Sequence, residues 1–290
     1  MPLRVAAISF LNPAPLLYDF EHEPAAARLR SRYAVAYTSP AECATQLLAG
    51  TADLGLIPIA SLTPELAIVP GCTIASLGKV RSILLLVKNP AGVSEREVLA
   101  AVKSVAADVA SRSSLAYARI LFEKFYAAAP EFVEQPADAV AMLAGADAAL
   151  LIGDPALLAR EHRAQIDVAV DAPLLWLDLA ELWREATGLP WVAAVWAVRP
   201  EALAREGVTA QELIDDLAAS RNAGLAHVDQ IVAEWMPRIA LPAETIRSYL
   251  TKNIHYTLDA DCVRAIERFR ALAAEINLLS SLEPLPMLAD

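Results

Sequence analysis

Residues 33–57, YAVAYTSPAECATQLLAGTADLGLI, decide the fold. Residues 33–38 alternate as a strand is expected to, and Ser39-Pro40-Ala41-Glu42 then predicts the start of a helix. The serine can act as N-cap, the proline suits the first helical position and the glutamate completes a capping box. Gly50 is a plausible helix C-cap, and residues 52–57 form a buried apolar strand. Strand, helix and strand in this order predict a parallel α/β sheet.

The same alternation continues on both sides of this stretch. The helix that begins near residue 113 carries apolar side chains at spacings of three and four, which predicts one buried stripe. The chain from Pro200 onward is mostly helical, and its tail, 282–290, is extended. The predicted strands are 4–10, 33–38, 52–57, 73–77, 82–88, 104–109, 131–134, 147–152 and 191–198, and a further helix is predicted over 137–144.

Two α/β units and a helical tail fit two arrangements. The units are either consecutive domains, or one lobe that the second interrupts. No long flexible linker lies near residues 82–88 or 191–198, which favours the second arrangement, with these two crossover strands as the hinge. We therefore place lobe 1 at 1–87 plus 197–290, lobe 2 at 88–196, and the active site in the cleft between them.

Composition excludes several classes of protein. The chain has 290 residues, 56% of them hydrophobic and 20% charged, which is far from a disordered composition. Its longest uncharged apolar runs, 82–87 and 191–198, are shorter than the roughly 20 residues that cross a bilayer. The net charge of −11 and the lack of a basic run argue against a nucleic-acid partner.

The ends and the cysteines predict a cytoplasmic location. Pro13 and Pro15 interrupt the first apolar run early and acidic residues follow, so the start of the chain does not read as a signal peptide. Cys43, Cys72 and Cys262 are odd in number and far apart, as suits reduced thiols.

The sequence lacks the common catalytic and cofactor motifs. No GxGxxG, P-loop, HExxH or GxSxG pattern occurs, and the four histidines are scattered. We therefore expect no metal and no cofactor. An anion bound by this acidic chain would need backbone N–H groups, hydroxyls and a few arginines.

Several polar residues stand where a predicted strand gives way to a turn or helix. Asn12 follows the first strand, where it either caps a helix or offers its amide to a cleft. Ser82 is either a solvated strand end or a cleft hydroxyl. Ser111, Ser113 and Ser114 precede a long helix, and three hydroxyls beside free N–H groups favour a carboxylate site over capping alone.

Two charged residues in the same stretches have open roles. Arg112 either pairs with a carboxylate or faces solvent. Asp154 ends a buried strand, where it either orients an opposing donor or caps the helix at Pro155, and the cap is the slightly favoured interpretation.

The order and spacing of several stretches resemble the chorismate dehydratases of menaquinone biosynthesis over nearly the whole chain. Pro13, where a small polar residue is more usual, and Trp191, where phenylalanine is commoner, depart from the pattern and conserve shape. The stretches are Ile8-Ser9-Phe10-Leu11-Asn12-Pro13-Ala14-Pro15-Leu16, Asp53-Leu54-Gly55-Leu56-Ile57-Pro58, Val80-Arg81-Ser82-Ile83-Leu84-Leu85, Ser111-Arg112-Ser113-Ser114, Leu151-Ile152-Gly153-Asp154, Thr187-Gly188-Leu189-Pro190-Trp191, Trp196-Ala197-Val198-Arg199 and Asn253-Ile254-His255-Tyr256.

This resemblance implies an α/β, two-lobed type II periplasmic-binding-protein-like fold, with a mixed sheet flanked by helices in each lobe. It also implies a hydro-lyase that acts on chorismate in the futalosine route without a cofactor. It implies Asn12 and Ser82 as catalytic residues. The substrate-binding residues that it implies are Pro58, Arg81, Ser111, Arg112, Ser113, Ser114, Gly153 and Asp154.

Two alternatives remain at this point. The sister 1,4-dihydroxy-6-naphthoate synthase shares the fold, but its expected cleft histidine and Ser-Pro-Cys-Pro-Asn opening are not apparent. A non-catalytic solute-binding protein for a small carboxylate would be expected to carry a signal peptide or a lipid-anchor cysteine.

Overall fold

The strands of this protein form two separate five-stranded sheets in a computed structural model that describes residues 1–279 and 282–289. The strands are β1 (Leu3–Ile8), β2 (Tyr33–Thr38), β3 (Leu54–Pro58), β4 (Ala67–Ser76), β5 (Ile83–Lys88), β6 (Ser104–Asp108), β7 (Glu131–Gln135), β8 (Ala148–Ile152), β9 (Leu174–Asp178) and β10 (Trp191–Val198).

Helices cover both sheets. They are α1 (Tyr18–Glu21), α2 (Ala25–Leu29), α3 (Pro40–Leu48), α4 (Glu95–Ala101), α5 (Arg112–Ile120), α6 (Ala139–Gly145), α7 (Gly153–Glu161), α8 (Arg163–Val170), α9 (Leu179–Thr187), α10 (Pro200–Glu206), α11 (Ala210–Ala226), α12 (Val228–Ile239), α13 (Ala243–Ser248) and α14 (Ala260–Glu275). Short 3-10 turns occupy Ala14–Leu17 and Ile59–Ser61, and π-helical turns occupy Leu121–Phe125 and Tyr249–Asn253.

The two sheets share one topology. Sheet A has the order β2-β1-β3-β10-β4 and sheet B the order β7-β6-β8-β5-β9. The first three strands of each sheet are parallel, and the fourth runs antiparallel to both of its neighbours. The fourth strand is the first that the chain forms after it crosses from one sheet to the other: β5 after it enters sheet B, and β10 after it returns to sheet A. The result is the predicted pair of mixed sheets flanked by helices, one in each lobe.

Strand pairing corrects the predicted lobe boundaries and hinge. Residues 83–87 were placed in lobe 1 but pair in sheet B, and residues 191–196 were placed in lobe 2 but pair in sheet A. Both segments are interior strands of a sheet, so they are too constrained to serve as a hinge. The chain changes sheet instead over residues 77–82 and 188–190, and we use lobe 1 and lobe 2 below for the parts built on sheets A and B.

The deciding stretch folds into the predicted strand, helix and strand, although the capping box forms only in its Ser39 half and β3 spans Leu54–Pro58 instead of 52–57. Strand β2 spans the predicted residues, and the Ser39 side chain accepts a hydrogen bond from the Glu42 N–H at 3.2 Å at the start of α3. Strand β10 also has its predicted bounds, while β4 begins at Ala67, earlier than the predicted 73. Elements α4, α8, β9 and α9 were not predicted, and α7, the helix expected at Pro155, begins at Gly153.

The end of the described chain covers the exposed edge of sheet A. The Ile68 N–H donates to the Pro286 carbonyl and the Leu288 N–H to the Ile68 carbonyl, both at 2.8 Å. This confirms the extended tail where it is described; Ser281 and Asp290 lie outside the described residues. Covering an edge strand removes a site for aggregation. Within residues 1–279 and 282–289, helices fall short of the length and apolar character that crossing a membrane requires.

Packing of α11 against the Ala14–Leu17 turn fixes the chain just after Asn12, and it yields a test. A Cβ at Gly224 would lie 2.2 Å from the Pro15 carbonyl oxygen. We expect Gly224→Ala to lower the free energy of unfolding by about 1–3 kcal/mol because backbone must move. Thermal unfolding followed by circular dichroism measures this.

The matched control is Gly145→Ala, where an added Cβ meets no atom within 4 Å. This change is expected to be neutral or slightly stabilising because alanine favours helix over glycine. Equal unfolding midpoints for the two variants would contradict the close packing of α11.

Candidate active site

A cleft between the two lobes collects most of the predicted site residues. Its cavity volume is about 50 Å³, below that of a typical small-molecule site, so the two lobes lie close together around it. Its walls come from both lobes, and they consist of Ile8, Phe10, Asn12, Pro40, Pro58, Ile74, Ala75, Val80, Ser82, Ile83, Ala110, Ser111, Arg112, Ser113, Ser114, Ile152, Gly153, Trp191, Ala193 and Ala194.

Asn12 lies in the turn that follows β1. Its Oδ1 atom is buried and has no hydrogen-bond partner among the described residues. It does not cap a helix, since the following turn begins with Pro13 as N-cap and has no side-chain cap. The Asn12 carbonyl accepts a hydrogen bond from the Tyr256 hydroxyl at 3.0 Å. The backbone is therefore anchored while the amide remains available to a ligand.

Ser82 is the last residue of the first crossover and is 2% exposed. Its Oγ lies 2.8 Å from the Tyr249 hydroxyl, and its carbonyl accepts from the Gly153 N–H at 2.8 Å. Ser82 is therefore a buried group with fixed surroundings, not a solvated strand end.

The three serines at the start of α5 have different roles. Ser111 is the N-cap residue, but its side chain does not cap the helix, and its buried Oγ has no partner among the described residues. Ser113 donates to the Ala193 carbonyl at 3.0 Å and accepts from the Ala60 N–H at 3.3 Å, so it joins α5 to lobe 1. Ser114 is buried on the cleft wall. The first-turn N–H groups of α5 have no partner within the helix, so this end suits an anion.

Trp191 adds an unused donor at the same cleft. The side chain is fully buried and stacks on Tyr117 with ring centroids 3.8 Å apart. Its Nε1 has no acceptor among the described residues. Leaving a buried polar atom unpaired costs about 1–3 kcal/mol. Asn12 Oδ1, Ser111 Oγ and Trp191 Nε1 could therefore each form a hydrogen bond with a polar group bound in this cleft.

Direct contacts hold the two lobes together beside the cleft. Gly153, with φ of +61°, lies against Phe10, and a Cβ there would be 2.6 Å from the Phe10 ring. The Leu11 N–H donates to Asp154 Oδ1 at 3.0 Å. Asp154 therefore orients an opposing donor, and the favoured interpretation as a cap of α7 was wrong. Burial raises the pKa of Asp154 to about 6, although the hydrogen bond from Leu11 opposes the shift.

The remaining predicted residues separate into two groups. Pro58 and Arg112 line the cleft, and the exposed Arg112 also donates to Thr45 Oγ1 at 2.8 Å across the lobes. Arg81 is absent from the cleft wall and lines another cavity beside Arg160. The reason is its left-handed backbone, with φ of +68°, which Asp178 holds by accepting from the Arg81 N–H at 2.7 Å.

The cleft wall is nearly uncharged. Among the described residues that form it, Arg112 is the one charged side chain, and carboxylates and imidazoles are absent. The cleft therefore offers hydrogen bonds and helix-terminal dipoles, and it offers no strong base.

One group of potential metal ligands lies outside the cleft. Side-chain ligand atoms of His255, Asp259 and Cys262 lie within 4.8 Å of one another, because these residues share the first turns around α14. His255 Nε2 is 2.8 Å from Asp259 Oδ2, and Asp259 Oδ1 accepts from the Cys262 N–H at 2.9 Å. Burial raises the pKa of the Cys262 thiol to about 12, which disfavours the thiolate that a metal needs.

Comparison with known proteins places these features in a family. A family model described as menaquinone biosynthesis matches residues 3–275. The chain belongs to this menaquinone biosynthesis family. A chorismate dehydratase of Thermus thermophilus is 27% identical over 239 residues, which cover 78% of this chain and 82% of the relative.

Solved structures show the fold of this family member. Protein AF1704 from Archaeoglobus fulgidus superimposes with a TM-score of 0.70 at 16% identity, over 96% of this chain and 98% of that one. The periplasmic aliphatic sulphonate-binding protein SsuA from Escherichia coli gives 0.63 at 19% identity, over 97% and 94%. The fold is therefore that of periplasmic binding proteins.

Sequence reasoning missed three aromatic contacts of this family member. Phe10, Tyr249 and Tyr256 contact the cleft residues directly. In the sequence they lie within or near the quoted stretches, but we assigned no role to them. Tyr256 ends the stretch Asn253-Ile254-His255-Tyr256, which the resemblance had singled out without a role. Tyr249 lies seven residues before Tyr256, and this closeness to the stretch was the one indication in the sequence that Tyr249 could lie near the site.

The buried Asp154 carboxyl yields a pH-dependent prediction. Its folded pKa of about 6 lies above the ordinary 3.8, so the folded protein holds the proton more tightly than the unfolded chain does. Stability is therefore lost as the pH rises through about 4 to 6, by at most about 3 kcal/mol. Asp154→Asn cannot ionise, so its unfolding midpoint should rise relative to the parent across this window and level off near pH 7.

Asp154→Ala is the matched control for the hydrogen bond. It should show the same pH dependence relative to the parent but a lower midpoint than Asp154→Asn, since the Leu11 N–H loses its acceptor. Thermal unfolding from pH 4 to 8 measures both. A difference between Asp154→Asn and the parent that does not vary with pH would contradict the buried carboxyl.

Proposed function

We propose that this protein is a cytoplasmic chorismate dehydratase of the futalosine route to menaquinone. It would remove water from chorismate to give 3-[(1-carboxyvinyl)oxy]benzoate. The observation that carries the proposal is the cleft with unpartnered polar atoms on Asn12, Ser111 and Trp191. Membership of the menaquinone biosynthesis family and the Thermus relative support the choice of substrate.

The chemistry of the cleft suits a small dicarboxylate. Chorismate carries a ring carboxylate and an enolpyruvyl carboxylate on a compact apolar ring. In our proposal the N-terminus of α5, with Ser111 and Ser114, holds one carboxylate, and Asn12 with Ser82 holds the other. Apolar walls such as Ile74 and Ile152 face the ring. Neutral hydrogen-bond donors can stabilise a bound carboxylate when several of their dipoles point at it.

The reaction needs little from the protein beyond orientation. The C3 proton of chorismate is acidified through the double bond conjugated with the ring carboxylate, and its loss together with the C4 hydroxyl gives an aromatic ring and water. The protein must orient the substrate and stabilise the charge that spreads toward the ring carboxylate. The N-terminus of α5 would serve the second task if the ring carboxylate binds there.

The proton acceptor in this proposal is the substrate itself. Among the described residues that form the cleft wall, only Arg112 is charged, so a protein base does not line it. The enolpyruvyl carboxylate, held by Asn12 and Ser82, would take the C3 proton. The C4 hydroxyl would then take this proton from the enolpyruvyl carboxyl group and depart as water, which restores the carboxylate.

A carboxylate-binding protein without turnover is the second candidate. The superposition with the sulphonate-binding protein SsuA favours it, since that relative has the same fold. Incubation with chorismate followed by chromatography separates the two functions. Formation of 3-[(1-carboxyvinyl)oxy]benzoate supports the dehydratase, while binding without product supports the second candidate.

Alanine variants at the two predicted catalytic residues test the site. Asn12→Ala and Ser82→Ala should each lower kcat about 10²–10³-fold, because each removes a donor that holds the enolpyruvyl carboxylate, the proposed proton acceptor, in position to reach the C3 proton. Steady-state kinetics on chorismate measures this. Ser220→Ala is the control, since Ser220 is a fully buried serine outside the cleft that accepts from the Asp19 N–H at 3.0 Å.

Ser220→Ala should retain the kcat of the parent even if it is somewhat less stable. Parent-like turnover by both Asn12→Ala and Ser82→Ala would mean that the site is misplaced. Equal losses in all three variants would trace the effect to stability instead of to the cleft.

A further inference from the structure

We infer that Tyr249 is a positioning residue that fixes the Ser82 hydroxyl with its proton directed into the cleft. The role of this pair in turnover rests on the proposed function. The direction of the hydrogen bond from Tyr249 to Ser82 does not. Tyr249 is 1% exposed and begins the π-helical turn Tyr249–Asn253 of lobe 1. Its hydroxyl reaches Ser82 across 167 positions of sequence.

The direction of the hydrogen bond follows from a count of acceptors. The Tyr249 hydroxyl is 2.8 Å from Ser82 Oγ and has no other hydrogen-bond partner among the described residues. A buried hydroxyl proton without an acceptor would cost about 1–3 kcal/mol, so Tyr249 donates to Ser82. Ser82 Oγ is then the acceptor, and its own proton is free to be donated elsewhere. The open direction is the cleft, whose wall includes Ser82.

Tyr249 keeps this donor role at every working pH. Burial raises the pKa of Tyr249 far above its ordinary value of 10, and the nearby carboxylates of Asp154 and Asp178 raise it further. The bond with Ser82 opposes these effects without overcoming them. The phenol therefore stays neutral and protonated, and Ser82 is always the acceptor in the pair.

A second tyrosine anchors the same segment to the other predicted catalytic residue. Tyr256 donates to the Asn12 carbonyl at 3.0 Å. Between the two tyrosines, His255 exchanges backbone hydrogen bonds with Ala75 of strand β4 at 2.7 and 2.9 Å. The segment 249–256 is thus held along the edge of sheet A, and it reaches Ser82 and Asn12 from one rigid base.

The chemical consequence is a serine that acts as a donor and not as an acceptor. A donor suits an anionic group such as a substrate carboxylate, whereas a freely rotating serine offers either lone pairs or a proton. Preorganised donors stabilise charge without reorganising during the reaction. Loss of the Tyr249 hydroxyl would let Ser82 rotate and would remove this preorganisation while keeping the serine in place.

The test is a double-mutant cycle between Tyr249→Phe and Ser82→Ala. Tyr249→Phe keeps the ring, so we expect kcat for chorismate to fall about tenfold or more with KM changed less than about threefold. The double variant should have the kcat of Ser82→Ala alone, because the phenol acts only through the serine.

Tyr33→Phe is the matched control. Tyr33 is also buried and its hydroxyl donates to Asp216 Oδ2 at 3.0 Å, far from the cleft walls. It should lose a similar hydrogen bond and some stability but keep the kcat of the parent. Retained kcat in Tyr249→Phe would overturn the inference, and so would losses that multiply in the double variant.

Calorimetric titration with 3-[(1-carboxyvinyl)oxy]benzoate separates this inference from the proposed function. If the parent binds this compound but does not turn over chorismate, the dehydratase proposal fails. The positioning role is then judged by affinity: Tyr249→Phe and Ser82→Ala should each weaken binding, and the double variant no further. The fitted stoichiometry reports the folded fraction, so a partly unfolded variant still gives its affinity. Unchanged affinity in Tyr249→Phe, where Ser82→Ala weakens binding, would overturn the inference.

Discussion

Contact between Phe10 and Gly153 sets how closely the two lobes approach, and the site depends on that approach. The ring lies where any side chain on residue 153 would have to be, so only glycine permits this distance. The adjacent hydrogen bond from the Leu11 N–H to Asp154 is directional, so it also restricts the relative orientation of the two lobes. In lobe 1, Asn12 follows Phe10 and Leu11 in the chain. In lobe 2, Gly153 and Asp154 begin helix α7. The same few residues therefore both close the cleft and position its polar groups.

An acidic protein can bind an anion in such a cleft because it uses local dipoles. The net charge of −11 works against a dicarboxylate at long range. At close range the first-turn N–H groups of α5, the Ser111 hydroxyl and the Trp191 Nε1 can donate to an anion in one buried space. The surroundings are apolar, so each hydrogen bond to a ligand is worth more than it would be in water. This explains how a neutral wall can serve the proposed reaction.

Part of this structure was predictable from local pattern. Strands β2 and β10 have the predicted bounds because they are bordered by strong signals, Ser39-Pro40 after one and Pro190 before the other. Helix α8 was missed because it buries none of its residues and so shows no apolar stripe. Helix α7 was expected to begin at Pro155 with Asp154 as its cap, but it begins at Gly153, directly after β8, without a side-chain cap.

The residues of the site also fall into those that the sequence predicted and those that it did not. Asn12, Ser82 and the serines of α5 were placed in the cleft correctly, by resemblance more than by pattern. Arg81 lies outside the cleft wall because its own left-handed backbone turns the chain just before Ser82. Tyr249 and Tyr256 reach the site from 167 and 244 positions away, a separation that no local pattern encodes.

Amide hydrogen exchange at Leu11 tests most directly whether the two lobes close on a ligand in this cleft. In the closed arrangement the Leu11 N–H is bonded to Asp154 and the Ala60 N–H to Ser113, and both bonds join the lobes. The account predicts that saturating 3-[(1-carboxyvinyl)oxy]benzoate slows exchange at both amides, by about tenfold or more as local opening is suppressed. Exchange at Leu11 and Ala60 that does not change while the compound is bound would contradict it.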